Sequence, residues 1–132
     1  MSAHNGSLTG PQRALLVLAA LISAGVHAGL APEHLHEWAP LGASFVAAAV
    51  ALSAAAAALL LRPRDARPAL ALAALLTFLI AAYALTRLVA LPPLDPDREP
   101  LDLLGLTTCA IEAAGVAATL RLARGVLRPA TT

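Results

Sequence analysis

Residues 40–61 read PLGASFVAAAVALSAAAAALLL, twenty-two positions without one charge, closed by Arg62-Pro63. At about 1.5 Å per residue such a helix is about 33 Å long, enough for a hydrocarbon layer of about 30 Å. Backbone polar groups in lipid must be paired within the segment, so the run has to be helical whatever the β-propensity of its valines. Three similar runs flank it. Ala14–Ala31 ends at Pro32, where a helix is expected to break or restart; Pro68–Leu91 ends at Pro92-Pro93; Leu101–Leu120 passes into Arg121, Arg124 and Arg128. The expected fold is all-α: a four-helix transmembrane bundle of two helical hairpins with short extracytoplasmic loops. It forms one membrane domain over 1–132, with spans at about 14–31, 40–61, 68–91 and 101–120 and flexible tails at 1–12 and 129–132.

Composition agrees with this reading. Of 132 residues, 59% are hydrophobic and 13% charged, with a mean hydropathy of +0.77, whereas a soluble domain carries roughly 25% charged residues. Four spans of about 20 residues leave no room for a second, water-soluble domain, so catalysis on a large extramembrane platform is not expected. The net charge is +1 and all nine basic residues are Arg, without a patch that could steer nucleic acid. The abundance of Ala, Leu and Arg without Lys suggests a high-GC bacterial genome. Cys109, the one cysteine, lies in an apolar stretch and reads as a packing residue.

Charge sets the orientation. Arg13, then Arg62, Arg64 and Arg67, then Arg121, Arg124 and Arg128 fall on one side, against Arg87 and Arg98 on the other. The positive-inside rule makes both termini cytoplasmic in a cell (plasma) membrane. Glu33, Glu37, Asp95, Asp97, Glu99 and Asp102 then face outward, and only Asp65 inward. Val26-His27-Ala28 also resembles a signal-peptide cleavage site, but a run long enough to span, followed directly by three more, favours an uncleaved helix. The two hairpins further suggest a parallel repeat, with His27 five positions before Pro32 and Arg87 five before Pro92.

A few residues are costly to keep in such a chain. Glu112 falls near mid-membrane, where an ionisable group costs about 3 kcal/mol on insertion scales, so it must face the bundle interior and find a partner. Tyr83 and Arg87 are candidates, with Thr107, Thr108 and Ser23 as hydroxyl donors. A Glu112–Arg87 pair would be a structural clasp; a protonated Glu112 would be a proton or cation site. The stretch Pro32-Glu33-His34-Leu35-His36-Glu37-Trp38-Ala39-Pro40 reads as an outer loop with a short helix, anchored at the headgroups by Trp38. His27, His34, His36, Glu33 and Glu37 are also a ligand set suited to a metal ion or haem, although the metalloprotease spacing is missing and His34 and His36 point to different faces of a helix. Gly25 and Gly29 form a Gly-x-x-x-Gly pair suited to close helix approach, self-association or docking on a larger partner.

His27, Pro32-Glu33-His34, Trp38, Gly42, Phe45, Thr86-Arg87, Glu99-Pro100 and Glu112 together make the chain resemble a group of small four-span membrane proteins of high-GC actinobacteria. That resemblance spans nearly the whole length and implies an architecture without an activity. Small multidrug-resistance transporters share the four-span size and a membrane glutamate, but theirs lies in the first helix and their aromatic lining has no counterpart here.

Three functions follow as expectations. The first is a non-enzymatic accessory or assembly subunit that contacts the lipid bilayer and a membrane-protein partner or a second copy. The second is a metal- or haem-binding membrane protein with an extracytoplasmic His/Glu site, and the third is a proton-coupled carrier built on Glu112.

Overall fold

The computed structural model describes residues 8–89 and 100–127, with the backbone alone for 122–127. Four helices make up the chain: α1 (Gly10–Glu37), α2 (Ala39–Leu61), α3 (Arg67–Leu88) and α4 (Leu103–Leu127). Each is long and apolar enough to cross a membrane, and the described residues contain no strand. The protein is a multi-pass membrane protein with an all-helical fold. Asp95, Asp97, Arg98, Glu99, Pro92-Pro93, Arg128 and the end of the expected third span lie outside the described residues, as do 1–7 and 128–132 of the tails.

Local chemistry sets the helix ends. Thr9 accepts from the Gln12 N–H while the Gln12 side chain accepts from the Thr9 N–H, a reciprocal cap that starts α1 four residues before the expected Ala14. The Asp65 carboxylate accepts from the Arg67 N–H at 2.9 Å where α3 begins. Asp102 does the same for α4 through the Gly105 N–H at 2.6 Å.

Pro32 does not end α1; the helix runs through it to Glu37. A proline ring removes one N–H and crowds the carbonyl four residues back, at a cost of about 3 kcal/mol. Here Ala28 and Pro32 are both on an exposed face of α1, so the ring crowds no neighbouring helix. The expected outer loop is therefore mostly helix, and His34 and His36 ride on the last turns of α1.

Trp38 alone joins α1 to α2, with extended backbone, its N–H donating to the His34 carbonyl and its carbonyl accepting from Gly42. A turn this tight brings the helices close. A Cβ on Gly42 would strike the backbone N and Cα of Leu35, so only glycine fits at that crossing.

The helices form a closed ring in which α1 touches α2 and α4, and α3 touches α2 and α4. Leu16, Ala20, Leu52, Ala56, Leu59, Ala69, Leu72, Leu76 and Ala118 pack into one apolar core. Most of these come from the first half of α1, the second half of α2 and the first half of α3, so the core fills the half of the bundle away from Trp38. At that end the Arg13 guanidinium donates to the Pro63 carbonyl, which ties α1 to the α2–α3 turn. Among the described residues the buried polar side chains of Ser23, Glu112 and Thr108 lie from mid-bundle toward the other end, while Thr119 follows Ala118 of the core.

The repeat is not matched in depth. Arg87 lies in the last turn of α3, whereas α1 continues from His27 through a further ten residues to Glu37. The difference comes from Pro32, which lengthens α1 instead of stopping it.

Candidate functional site

Midway along α1 and α4, Glu112 and Ser23 face each other inside the bundle. Glu112 is 2% exposed and Ser23 fully buried. The Ser23 hydroxyl donates to the Glu112 carboxyl Oε1 at 2.5 Å, the short end of the range for a hydroxyl donor. Two of the other hydroxyls that the sequence offered are spent on their own helix. Thr107 donates to the Leu103 carbonyl at 2.7 Å and Thr108 to that of Leu104 at 2.8 Å, the back-bonding habit of threonine within helices.

One turn above Ser23, the His27 Nδ1 lies 2.8 Å from the Ser23 carbonyl and 3.4 Å from its hydroxyl oxygen. A carbonyl only accepts, so Nδ1 carries the imidazole proton and Nε2 is left as the basic nitrogen. The His27 ring leans on Phe45 of α2, centroids 5.3 Å apart, and Phe45 also contacts the ring of His34 at 4.4 Å. His34 in turn meets Glu37 at 3.3 Å. A polar and aromatic column thus runs from Glu112 through Ser23, His27, Phe45 and His34 to Glu37 at the Trp38 end.

Arg87 and Tyr83 belong to a second cluster, at the same end of the bundle. The Arg87 guanidinium donates to the Asp102 carboxylate at 3.0 Å and to the Thr86 hydroxyl at 2.9 Å, and it stacks over the Tyr83 ring 4.1 Å from its centroid. The Tyr83 hydroxyl donates weakly to Asp102, with oxygen distances of 3.4 and 3.5 Å. Asp102 is held below the usual carboxylate range, first by the Gly105 N–H and then, against some desolvation, by Arg87 and Tyr83. Gly105 makes room for the group, because a Cβ there would enter the Tyr83 ring and come within 2.8 Å of the Asp102 carboxylate.

The expected Glu112–Arg87 clasp is not formed: among the described residues no ion pair joins the two, and the polar partner of Glu112 is Ser23. The reason is depth. Asp102 caps α4 level with the end of α3, while Glu112 lies ten residues, or about 15 Å of helix, further in.

The five candidate metal ligands do not converge either. Among the described residues no three His, Cys, Asp or Glu side chains come together in a way that could hold an ion. Phe45 packs against both His27 and His34, while Glu33 and His36 lie exposed on the last turns of α1. Trp38 is half-buried at the α1–α2 turn, at one end of the bundle.

The site residue that sequence reasoning passed over is Asp102. Its signal was present, since Asp-x-x-Gly ahead of an apolar run is a helix start, and the same carboxylate can serve a cation. No known protein family, curated protein or solved structure matches the chain.

Proposed function

We propose that the protein is a non-enzymatic, proton-coupled membrane protein whose working group is Glu112. One observation carries this reading: a carboxyl group 2% exposed between α1 and α4 that receives a serine hydroxyl, with no arginine drawn to it among the described residues. A carboxylate buried without a countercharge costs several kcal/mol, and the protonated form avoids that cost while keeping the hydrogen bond. Gain and loss of a proton at Glu112 changes how α1 holds α4. The Arg13, Arg62, Arg64, Arg67 and Arg121 end is assigned to the cytoplasm of a bacterial cell, with both termini inside, on the positive-inside rule. The Trp38 end then faces outward.

Proton flux in liposomes tests the reading. Parent protein is expected to dissipate an imposed pH gradient faster than protein-free vesicles, and Glu112→Gln to return flux to that background. A Glu112→Gln protein that matches an active parent refutes it, as does a parent no faster than empty vesicles.

A second reading, the accessory subunit, is favoured by the outward face of α1. Gly25 and Gly29 are exposed at membrane depth, and a Cβ on either would meet nothing within 4 Å. Flanked by exposed Leu18, Leu21 and Ile22, the pair leaves a shallow groove of the kind that lets a partner helix approach closely. The expected result is that a subunit co-purifying with the parent is lost on Gly25→Leu plus Gly29→Leu. Unchanged co-purification removes this reading.

A further inference from the structure

We propose that His27 takes up protons at the Trp38 end and delivers them to Glu112 through the Ser23 hydroxyl, a route that rests on the reading of Glu112 as the protonatable group. The geometry is directional. Ser23 donates to Glu112 at 2.5 Å, and its oxygen lies 3.4 Å from the His27 Nδ1, whose proton also meets the Ser23 carbonyl at 2.8 Å. The Ser23 hydroxyl hydrogen points to the Glu112 carboxyl, while the Nδ1 hydrogen is held by the Ser23 carbonyl and swings to the Ser23 oxygen for transfer. His27 is half-buried, whereas Ser23 and Glu112 are sealed, so of the three the imidazole is the least enclosed.

The transfer balances without any other reactant. A proton from water binds Nε2 of neutral His27; the Nδ1 proton passes to the Ser23 oxygen as the Ser23 hydroxyl proton passes to Oε1 of the Glu112 carboxylate. Glu112 ends as the neutral acid, Ser23 as the same hydroxyl, and His27 as the neutral tautomer protonated on Nε2. Run in reverse, the steps return the proton to the Trp38 end; net flux requires release from Glu112 toward the Arg-rich end, which the change in how α1 holds α4 supplies. Histidine suits the outer position because its two nitrogens can load on one side and unload on the other.

The other ionisable groups near the route are accounted for element by element. On α1, His34 is paired with Glu37 and lies on the far side of the contact with Phe45. On α2, Phe45 packs against His27 and holds the ring. On α3, Tyr83 and Arg87 are engaged with Asp102, and on α4 the Cys109 thiol sits three residues before Glu112. None of them interrupts the Nδ1, Oγ, Oε1 line.

The experiment compares proton flux in liposomes for the parent, His27→Gln, Ser23→Ala, Ser23→Thr and Glu112→Gln. A positioned acid–base group contributes about a hundredfold or more to such a step. His27→Gln and Ser23→Ala are therefore expected to slow flux by about that factor, with Ser23→Thr, which keeps the hydroxyl, near the parent rate. If His27→Gln conducts like the parent while Glu112→Gln does not, the relay is overturned and the Glu112 reading survives. Flux lost equally in Ser23→Ala and Ser23→Thr would assign Ser23 a packing role and also overturn the relay. Should Ser23→Ala fail to fold, His27→Gln decides alone, because His27 is the half-buried member of the three-group line.

Discussion

Replacing Gly42 by alanine sets two opposed effects against each other, and the structure says which wins. In the middle of a helix alanine is favoured over glycine by about 1 kcal/mol. At Gly42, however, the new Cβ would lie 2.5 Å from the Leu35 Cα, and nearer still to its amide nitrogen. Ordinary contact begins near 3.4 Å, so α1 and α2 must separate by about 0.9 Å at this crossing, and no side-chain rotation can relieve a clash with backbone. A gap of about 0.5–1 Å forfeits a quarter to a half of the dispersion energy of each contact it opens. Phe45 with His27 and His34, and Leu41 beneath the turn, all sit on that interface. Overpacking of this kind costs about 1–3 kcal/mol in soluble cores, and a backbone clash falls at the upper end. The net expectation for Gly42→Ala is a loss of about 1–2 kcal/mol.

Gly25→Ala is the control: nothing lies within 4 Å of its Cβ, so the helix preference acts alone and stability rises by up to about 1 kcal/mol. Unfolding in detergent, followed by the fluorescence of the single tryptophan, reads the interface directly, since the Trp38 carbonyl accepts from the Gly42 N–H. A Gly42→Ala protein as stable as Gly25→Ala would refute the reasoning.

Ser23→Ala leaves the buried Glu112 carboxyl without its hydroxyl donor and is expected to lower stability by about 1–3 kcal/mol in the same unfolding assay; Ser23→Thr should recover most of it. Leu72→Ala removes a fully buried core side chain and should cost about 2–5 kcal/mol, where a loss below about 1 would show that α3 does not pack as described. Because the folded-state pKa of Asp102 is depressed, its stabilisation is present above its unfolded pKa and fades as pH falls below about 4. Unfolding across that window should show the parent losing its advantage over Asp102→Asn. At neutral pH the two should differ by only about 0.2–1 kcal/mol, since asparagine still caps α4 and the Arg87 pair is partly exposed.

Much of the architecture was legible in the chain because each span is a local property. Hydrocarbon solvent forces any predominantly apolar run of some 20 residues into a helix, so four runs meant four helices irrespective of packing. The caps at Thr9 and Asp102 were equally local, and reading them would have placed the helix starts more closely. Pro32 misled because proline is decided by its surroundings: on an exposed face of α1 its ring crowds no neighbouring helix. The site divided along the same line. That Glu112 must be buried and partnered followed from the cost of a carboxyl group at mid-membrane, but five side chains could have answered it. Rotation and stagger of the helices chose Ser23, sent Arg87 and Tyr83 to Asp102, and brought Phe45 against the two histidines. In helices this rich in alanine almost every face can pack, so periodicity carries little information about rotation. Only the closed ring of four, with glycine at its tightest crossings, determined which faces met.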